Sequence, residues 1–368
     1  MPNFTAADHA FMARAIQLAA RGKYTTQPNP AVGCVLVQGE DIVGEGWHEQ
    51  AGKAHAEVNA LAAAGDRARN ARAYVTLEPC AHHGKTPPCA TALIDAGVAE
   101  VIVAMEDPHA KVDGRGIEAL ASAGVQVRSG LLQDTVAGSL AGFVSRMTRG
   151  RPFVRLKIAA SLDGGTAMKN GESQWITGPE ARADVQRLRA MSGAIMTGIG
   201  TVLADDPSLT VREASIDMQG RQPLRVVLDS GLRMPLSAEM LALPGQTLIY
   251  CNDVSKRQPL EEAGAAIATV GGDGESVALN AVLDDLGTRE INDLLVEAGP
   301  ALAGALIAQD LVDELVIYQA PHIMGSETMR MLRTPAWTAL ADRRDLQISD
   351  LRRVGDDMRI TARLRGRS

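Results

Sequence analysis

The chain has few aromatic side chains, which make up 3% of its 368 residues, and only four cysteines. Hydrophobic residues still make up 46% of the chain, so its core must be built from aliphatic side chains and methionine. Four cysteines in so long a chain argue against a disulfide framework and favour metal binding or catalysis. The length predicts two domains, at the usual ~100–200 residues per domain.

Clustered positive charge and long apolar runs are also missing. The net charge is -7 and no Lys/Arg-rich run precedes the C-terminal arginines, which argues against an extended nucleic-acid surface. No apolar run reaches the ~18 residues of a membrane span. The N-terminal helical pattern carries charges and lacks the apolar core of a signal peptide. We therefore expect a cytoplasmic protein that contacts neither membrane nor nucleic acid. A small phosphorylated ligand is compatible with this charge, because it needs only one or two basic residues.

The first part of the chain alternates helix and strand patterns. Two apolar runs flank Gly39 as in a β-hairpin, and the other strands are separated by helical segments. The predicted elements are a helix over 8–21, strands over 31–38 and 42–48, a helix over 55–64, a strand over 73–78, a helix over 88–96, a strand over 98–105, a helix over 116–123, a strand over 125–130 and a further helix to about residue 146. This order predicts a three-layer α/β domain.

A short basic segment, "RMTRGRP" over 146–152, marks the expected domain boundary and gives domains 1–150 and 151–368. The second domain again alternates strands and helices, so it is also predicted to be α/β. Its predicted elements are a strand over 153–161, a helix over 179–190, strands over 193–198, 224–230 and 246–251, a strand, glycine turn and helix over 291–309, a strand over 312–321 and antiparallel strands over 346–364.

Two segments, "KAHAEV" over 53–58 and "TLEPCAHHGKTPPC" over 76–89, combine metal-ligand chemistry with a carboxylate. A catalytic zinc takes three protein ligands and keeps a fourth position for water, and His55, Cys80 and Cys89 supply three. Glu57 lies two residues from His55 near a helix start, where its carboxylate can act as the proton carrier of a deaminase. A structural zinc with His82 or His83 as fourth ligand is the alternative, but it leaves Glu57 without a role.

The second half carries polar residues in apolar or glycine-rich surroundings. Lys157 lies in an apolar strand, and "TGIGTVLADDPSLTVR" combines a Gly-x-Gly turn with paired aspartates and Arg212. The N-terminus of the helix that follows "LLVEAG" is suited to bind a phosphate group. Each feature alone is weak, and the G-x-G-x-x-G of a plain dinucleotide-binding unit is missing.

Taken together, these segments resemble the bifunctional riboflavin-biosynthesis deaminase/reductase family over essentially the whole chain. The likeness rests on "PNPAVGC", "HAE" and the cysteine loop, and on the order of motifs in the second half. It implies a cytidine-deaminase-like αβα domain followed by a dihydrofolate-reductase-like α/β domain. Ala81, Lys85 and Gly165 depart from the family pattern, in which an arginine commonly stands at the last of these positions.

The resemblance implies that the first domain uses zinc to deaminate a diaminopyrimidinone with a phosphoribosylamino group. It implies that the second domain uses NADPH to reduce the ribosyl group to ribityl. Cofactor contacts carried over by position are Ala159, Trp175, Thr201, Asp205, Ser230, Gly299, Pro300, Ala301, Leu302, Ala303, Gly304 and Ala305. Substrate contacts carried over or considered are Asn29, Lys85, Lys157, Ser173, Arg189, Leu209, Arg212 and Glu297.

Some roles stay open at this point. Asn29 is a substrate contact or a turn residue, and Lys157 either stabilises charge or extends its amine away from its strand. Cys34 and Cys251 lie in apolar strands and are expected to be buried thiols. One alternative function is a zinc nucleoside or tRNA deaminase fused to a binding domain. Another is an active deaminase whose second domain only senses a dinucleotide. A homo-oligomer, dimer or tetramer, is expected.

Overall fold

The fold is described from a computed structural model, which covers residues 3–81, 88–109, 114–271 and 276–364. The chain divides into two units, Met1–Gly150 and Arg151–Ser368. Each unit contains its own large β-sheet, so the two are described separately.

The first unit is built on a five-stranded sheet. Its strands are β1 (Gly33–Gln38), β2 (Asp41–Trp47), β3 (Arg72–Leu77), β4 (Glu100–Met105) and β5 (Gln126–Ser129). The order across the sheet is β2-β1-β3-β4-β5. β1 pairs antiparallel with β2 and β3, whereas β3, β4 and β5 are parallel. The predicted hairpin is confirmed, and Gly39 adopts the positive φ of +64° that its tight turn needs.

Helices cover both faces of this sheet. They are α1 (Ala6–Ala19), α2 (Ala56–Ala64), α3 (Cys89–Asp95), α4 (Arg115–Ser122), α5 (Gln133–Ser139) and α6 (Ala141–Arg149), with short 3-10 turns at Ala20–Gly22 and Gly65–Ala68. Successive residues of a strand point to opposite faces. Accordingly, Cys34 and Leu36 of β1 pack into the apolar cluster beneath α2, and Val35 and Val37 pack into the cluster beneath α1. The expected three-layer α/β architecture is confirmed.

The second unit contains a nine-stranded sheet and a small two-stranded one. Its strands are β6 (Phe153–Ser161), β7 (Gly165–Ala167), β8 (Ala194–Gly198), β9 (Leu224–Leu228), β10 (Thr247–Cys251), β11 (Ala265–Thr269), β12 (Asp293–Glu297), β13 (Glu314–Ala320), β14 (Met329–Arg330), β15 (Leu346–Val354) and β16 (Asp357–Leu364). The order in the large sheet is β11-β10-β9-β8-β12-β6-β13-β16-β15. All pairings from β11 to β13 are parallel, and β16 pairs antiparallel with β13 and β15.

Apolar clusters lie on both faces of this sheet as well. Leu294 and Val296 of β12 pack into one cluster, and Leu295 between them packs into the other. The helices are α7 (Pro179–Met191), α8 (Ile199–Asp205), α9 (Glu239–Ala242), α10 (Arg257–Glu262), α11 (Leu279–Thr288) and α12 (Pro300–Ala308), with a 3-10 turn at Leu340–Asp342. The predicted α/β class of this half is confirmed too.

Some element boundaries differ from the sequence expectation. The helix expected to end near Arg146 is two helices, since Leu140 leaves the helical region at φ -107° and ψ 21°. The segment read as a Gly-x-Gly turn contains α8, because Gly198 is the residue that caps this helix and Gly200 lies inside it. None of the helices within the described ranges is long and apolar enough to cross a membrane.

Candidate active sites

The first candidate site lies beside the ends of β3 and α2. His55 is the residue that precedes α2, Cys80 follows β3, and Cys89 opens α3. One ligand atom from each of the three lies within 4.8 Å of the others. His55 Nδ1 is 3.2 Å from the Sγ of Cys89 and 3.7 Å from the Sγ of Cys80. The fold therefore brings the three predicted metal ligands together.

This donor set fits a catalytic zinc. Tetrahedral coordination at ordinary Zn–N and Zn–S bond lengths separates neighbouring ligand atoms by about 3.6 Å. The two distances from His55 Nδ1, 3.2 and 3.7 Å, lie on either side of that value. Three protein ligands also leave the fourth position open, as hydrolytic zinc sites require. His82 and His83, considered as fourth ligands, lie outside the described residues, as does Lys85.

The thiols of Cys80 and Cys89 have shifted pKa values of opposite direction. A hydrogen bond with Cys89 lowers the pKa of Cys80 to about 4, and the backbone N–H of Cys89 also donates to the Cys80 Sγ at 3.3 Å. The same interaction with Cys80, together with burial, raises the pKa of Cys89. Cys80 is therefore the more acidic of the two thiols, and both would lose their protons on ligating a metal.

Glu57 lies in the first turn of α2 and is buried, with 3% of its surface exposed. This burial raises the pKa of Glu57 to about 7. A carboxyl group with a pKa near neutrality can both accept and donate a proton, which is the property that general acid–base catalysis needs.

His48, which sequence reasoning missed, lies against this site. Its ring is 5.3 Å from the His55 ring. Nδ1 of His48 donates to the Ala54 carbonyl at 3.0 Å, so Nε2 is left to accept from the Asn29 amide nitrogen at 3.2 Å. The backbone N–H of Asn29 also donates to the Thr26 carbonyl at 2.7 Å, so Asn29 lies in a turn and its side chain contacts His48 beside the site. The sequence signal that could have indicated His48 is its position directly after the apolar run of β2.

The second unit contains a buried ion-pair cluster at the end of β12. Arg189 donates from Nε and Nη2 to the two carboxylate oxygens of Glu297, at 2.6 and 3.1 Å. Its Nη1 donates to the Thr210 carbonyl at 3.0 Å. Lys157 Nζ lies 3.9 Å from Glu297, so this amine faces a carboxylate rather than open solvent. Arg189 thus holds Glu297 and the segment around Thr210, with each of its three guanidinium nitrogens donating one hydrogen bond.

Arg212 and Leu209 of that segment differ in accessibility. Arg212 is exposed, donates from its guanidinium to the Ser208 hydroxyl, and is held by its backbone N–H to the Gln186 side chain at 3.0 Å. Leu209 is buried in the core at 2% exposure and adopts a positive φ of +45°. Leu209 is therefore enclosed by the protein, whereas the Arg212 side chain is available.

Some of the expected cofactor residues are hydrogen-bonded to one another or to a predicted substrate contact, and others are accessible without such a bond. Thr201 of α8 meets Gly299, the residue before α12, through a 3.3 Å hydrogen bond from the Gly299 N–H to the threonine hydroxyl. Ser173 donates to Asp205 at 3.2 Å. The other predicted cofactor contacts that are at least partly exposed are Ala159, Trp175, Ser230, Pro300, Ala301, Leu302 and Ala305.

Two residues of the expected dinucleotide segment point elsewhere. Ala303 is fully buried in the core of the second unit. A Cβ at Gly304 would lie 2.0 Å from the Arg333 carbonyl oxygen, so this glycine is needed for packing against the chain near Arg333. These two positions are therefore corrected to structural roles, whereas Pro300, Ala301, Leu302 and Ala305 of the same helix stay accessible.

Comparison with known proteins links both sites to one family. Residues 5–105 match the cytidine and deoxycytidylate deaminase zinc-binding region, and residues 152–359 match the RibD C-terminal domain. The riboflavin biosynthesis protein RibD of Escherichia coli (strain K12) is 47% identical over 95% of this chain and 98% of its own length. The chain belongs to the RibD family.

Solved structures of family members have the same fold. Acinetobacter baumannii RibD, form 1, matches with a TM-score of 0.92 at 42% identity, covering 98% of this chain and 99% of that one. A diaminohydroxyphosphoribosylaminopyrimidine deaminase/5-amino-6-(5-phosphoribosylamino)uracil reductase from Thermotoga maritima matches with a TM-score of 0.87 at 30% identity, covering 97% and 99%. The chain is a bifunctional riboflavin-biosynthesis enzyme that combines a deaminase and a reductase.

Proposed function

We propose that the unit over 1–150 deaminates 2,5-diamino-6-(5-phosphoribosylamino)pyrimidin-4-one and that the unit over 151–368 then reduces the product to 5-amino-6-(5-phosphoribitylamino)uracil. The observation that carries this proposal is the group formed by His55, Cys80 and Cys89, whose ligand atoms lie within 4.8 Å, with buried Glu57 in the adjoining helix turn. The assignment of the two reactions to the two units follows the two matched family regions.

In the deamination, His55, Cys80 and Cys89 would hold zinc. When bound, zinc would lower the pKa of a water molecule to about 7 and so supply a nucleophile at neutral pH. Glu57 would accept a proton from the attacking water and deliver protons to the ring nitrogen and then to the leaving amine. Water and the amine thereby become the ring carbonyl and ammonia. Asn29, oriented by His48, donates or accepts hydrogen bonds at the pyrimidine edge.

In the reduction, the charges of the second unit would hold the substrate phosphate. Lys157, Arg189 and Arg212 supply three positive charges, and Glu297 supplies one negative charge, which leaves a net charge of two positive. Arg189 is committed to Glu297, so it acts by positioning the segment that carries Arg212. Exposed Arg212 is then the group that donates to phosphate.

The cofactor proposed for the reduction is NADPH, whose nicotinamide supplies the hydride. Thr201 and Gly299 meet at the carboxyl end of β12, where ligands of parallel α/β sheets bind. The open first turn of α12 offers backbone N–H groups to a cofactor phosphate. We place both reactions in the cytoplasm and expect a homo-oligomer from the family resemblance alone.

An assay with separately supplied substrates tests this function. Purified protein is given deaminated substrate and NADPH, and the fall in reduced-nicotinamide absorbance is followed. Consumption of NADPH, one per substrate reduced, supports an active reductase unit. Binding of the dinucleotide without its oxidation would instead support the alternative in which the second unit is a non-catalytic sensor. Ammonia release from the diaminopyrimidinone tests the first unit in parallel.

A further inference from the structure

Glu78 lies between β3 and the metal ligand Cys80 and is buried, with 3% of its surface exposed. Its carboxylate accepts four backbone N–H bonds. These come to Oε2 from Asp107 at 3.1 Å and Gly114 at 3.1 Å, and to Oε1 from Gly116 at 2.8 Å and Ile117 at 3.3 Å. One side chain thus joins the end of β3, the segment after β4 and the beginning of α4.

The sequence explains why α4 needs this carboxylate. The first N–H groups of a helix have no partner within the helix, and a Ser, Thr, Asp or Asn at the preceding position usually accepts from them. That position before α4 is Gly114, which has no side chain and makes no side-chain cap. Glu78 takes over this role from a distant part of the chain, and its negative charge suits the positive end of the helix.

A second observation shows how closely α4 approaches the metal-ligand segment. A Cβ at Gly116 would lie 1.9 Å from the carbonyl oxygen of Pro79 and 3.1 Å from Glu78 Oε1. Only glycine allows the helix backbone this close. Pro79 is bonded directly to Cys80, so the position of α4 fixes the chain immediately before the ligand.

We propose that Glu78 is a positioning residue of the zinc site, which holds the Cys80 thiolate in place by fastening the Glu78–Cys80 segment to the beginning of α4. This rests on the proposed function, since it takes Cys80 as a zinc ligand. Groups that orient metal ligands typically contribute about 10–100-fold to metal affinity. Glu78→Gln keeps the shape of the side chain, but the amide N–H₂ group would face backbone N–H donors. Two of these donors would then have no acceptor.

The test is zinc affinity, measured by chelator competition on the full chain, together with the visible spectrum of the cobalt-substituted protein. Glu78→Gln is expected to weaken zinc binding about 10–100-fold and to shift the cobalt bands. Thr5→Ala is the matched control, because it removes the side-chain cap of α1 in the same unit. It should change zinc affinity less than about 2-fold, since its cost of ~1 kcal/mol falls on a different helix.

Two results would overturn the inference. In the first, Glu78→Gln has the same zinc affinity and cobalt spectrum as the unchanged protein. In the second, Thr5→Ala loses as much zinc affinity as Glu78→Gln. If Glu78→Gln does not fold, Glu78→Asp decides in the same way, since it keeps the charge and shortens the reach. An unchanged zinc affinity in Glu78→Asp then overturns the inference, and a reduced one supports it. Failure of the unchanged protein to bind zinc would contradict the proposed function itself, so the two failures are distinguishable.

Discussion

The two candidate sites are assembled over very different sequence distances. In the first unit, the three proposed zinc ligands and Glu57 lie within residues 55–89, and each lies at or within three residues of the end of a helix or strand. In the second unit, Arg189 and Glu297 are 108 positions apart and meet only through the sheet. A site made of helix and strand ends can be recognised as a motif, whereas a site made of side chains on distant elements cannot.

The sites also differ in what satisfies their polar groups. The first site brings together two thiols, whose pKa values are moved apart by their mutual hydrogen bond, and a buried carboxyl group, whose pKa is raised to about 7. The second site pairs most of its charge internally, since each guanidinium nitrogen of Arg189 donates a hydrogen bond within the protein. We therefore expect substitutions in the first unit to change metal and chemistry, and substitutions in the second to change stability and substrate affinity.

The largest effect is expected from loss of a zinc ligand. Cys80→Ser and Cys89→Ser should each lower zinc affinity by more than about 100-fold and abolish deamination. Loss of a ligand should exceed the loss of a group that only orients a ligand, which typically lowers metal affinity about 10–100-fold. Elemental analysis after dialysis measures the metal, which should be about one zinc per chain in the unchanged protein. Cys251→Ser, a buried free cysteine of the second unit, is the control and should keep its zinc. Full zinc occupancy in both ligand variants would refute the assignment.

Removal of the proton carrier should have the next largest effect. Glu57→Gln keeps the shape of the side chain but cannot take the proton of water, so deamination should fall by ~10²–10⁴ while zinc is retained. Ammonia release and zinc content are the measurements. Glu40→Gln changes an exposed glutamate in the β1–β2 turn and should leave both unchanged. Near-normal deamination by Glu57→Gln would mean that another group carries the proton.

In the second unit, the largest effect is expected on stability. Glu297→Gln leaves Arg189 and Lys157 without their buried counter-charge, which should cost about 3–5 kcal/mol of unfolding free energy. Amide hydrogen exchange of β6 and β12 measures this loss locally. Glu327→Gln breaks an exposed pair with Lys169 and should cost no more than about 1 kcal/mol. Equal effects of the two substitutions would show that the cluster contributes no special stability.

The same cluster predicts a pH dependence. Burial raises the pKa of Glu297, but Arg189 and Lys157 outweigh this and lower it from 4.5 to about 2. Because the folded pKa is the lower one, the stabilisation is complete above pH 4.5 and is lost as the pH falls toward 2. Hydrogen-exchange protection of β12 should fall over this range, and Glu297→Gln should flatten the fall. An unchanged slope in the variant would contradict the ionised pair.

The smallest effect is expected at Arg212. Arg212→Ala removes one charge-assisted hydrogen bond to the substrate phosphate, at a cost of roughly 1.5–3 kcal/mol, or one to two decades in KM of the reduction. Arg257→Ala, an arginine with 57% of its side chain exposed on α10, should change KM by less than about 3-fold. If the two variants behave alike, Arg212 is a surface arginine without a substrate role.

The sequence predicted the first site well because its chemistry is local. The H-x-E spacing and the two Pro-Cys pairs were enough to choose His55, Cys80 and Cys89, which the structure brings together. The role of Glu78 could not be predicted, because its partners are the backbone N–H groups of Asp107, Gly114, Gly116 and Ile117, and backbone groups leave no residue signature.

The second site was harder to predict for two physical reasons. Glycine in "TGIGT" suggested a turn, but Gly200 is tolerated inside α8 because the helix is short and its other face packs through Val202. Carry-over by position also cannot separate exposed from buried residues. It assigned contacts to Ala303 and Gly304, which pack into the interior, and to Leu209, which is in the core.

Independence of the two sites is the central claim, and steady-state kinetics of both reactions on Glu57→Gln and Arg212→Ala test it most directly. Each reaction is started with its own substrate, so that neither depends on the other for supply. We predict that Glu57→Gln loses deamination and keeps NADPH-dependent reduction, and that Arg212→Ala shows the reverse selectivity. If Arg212→Ala depressed deamination as strongly as reduction, the two units would not act independently and the division at residue 150 would be wrong.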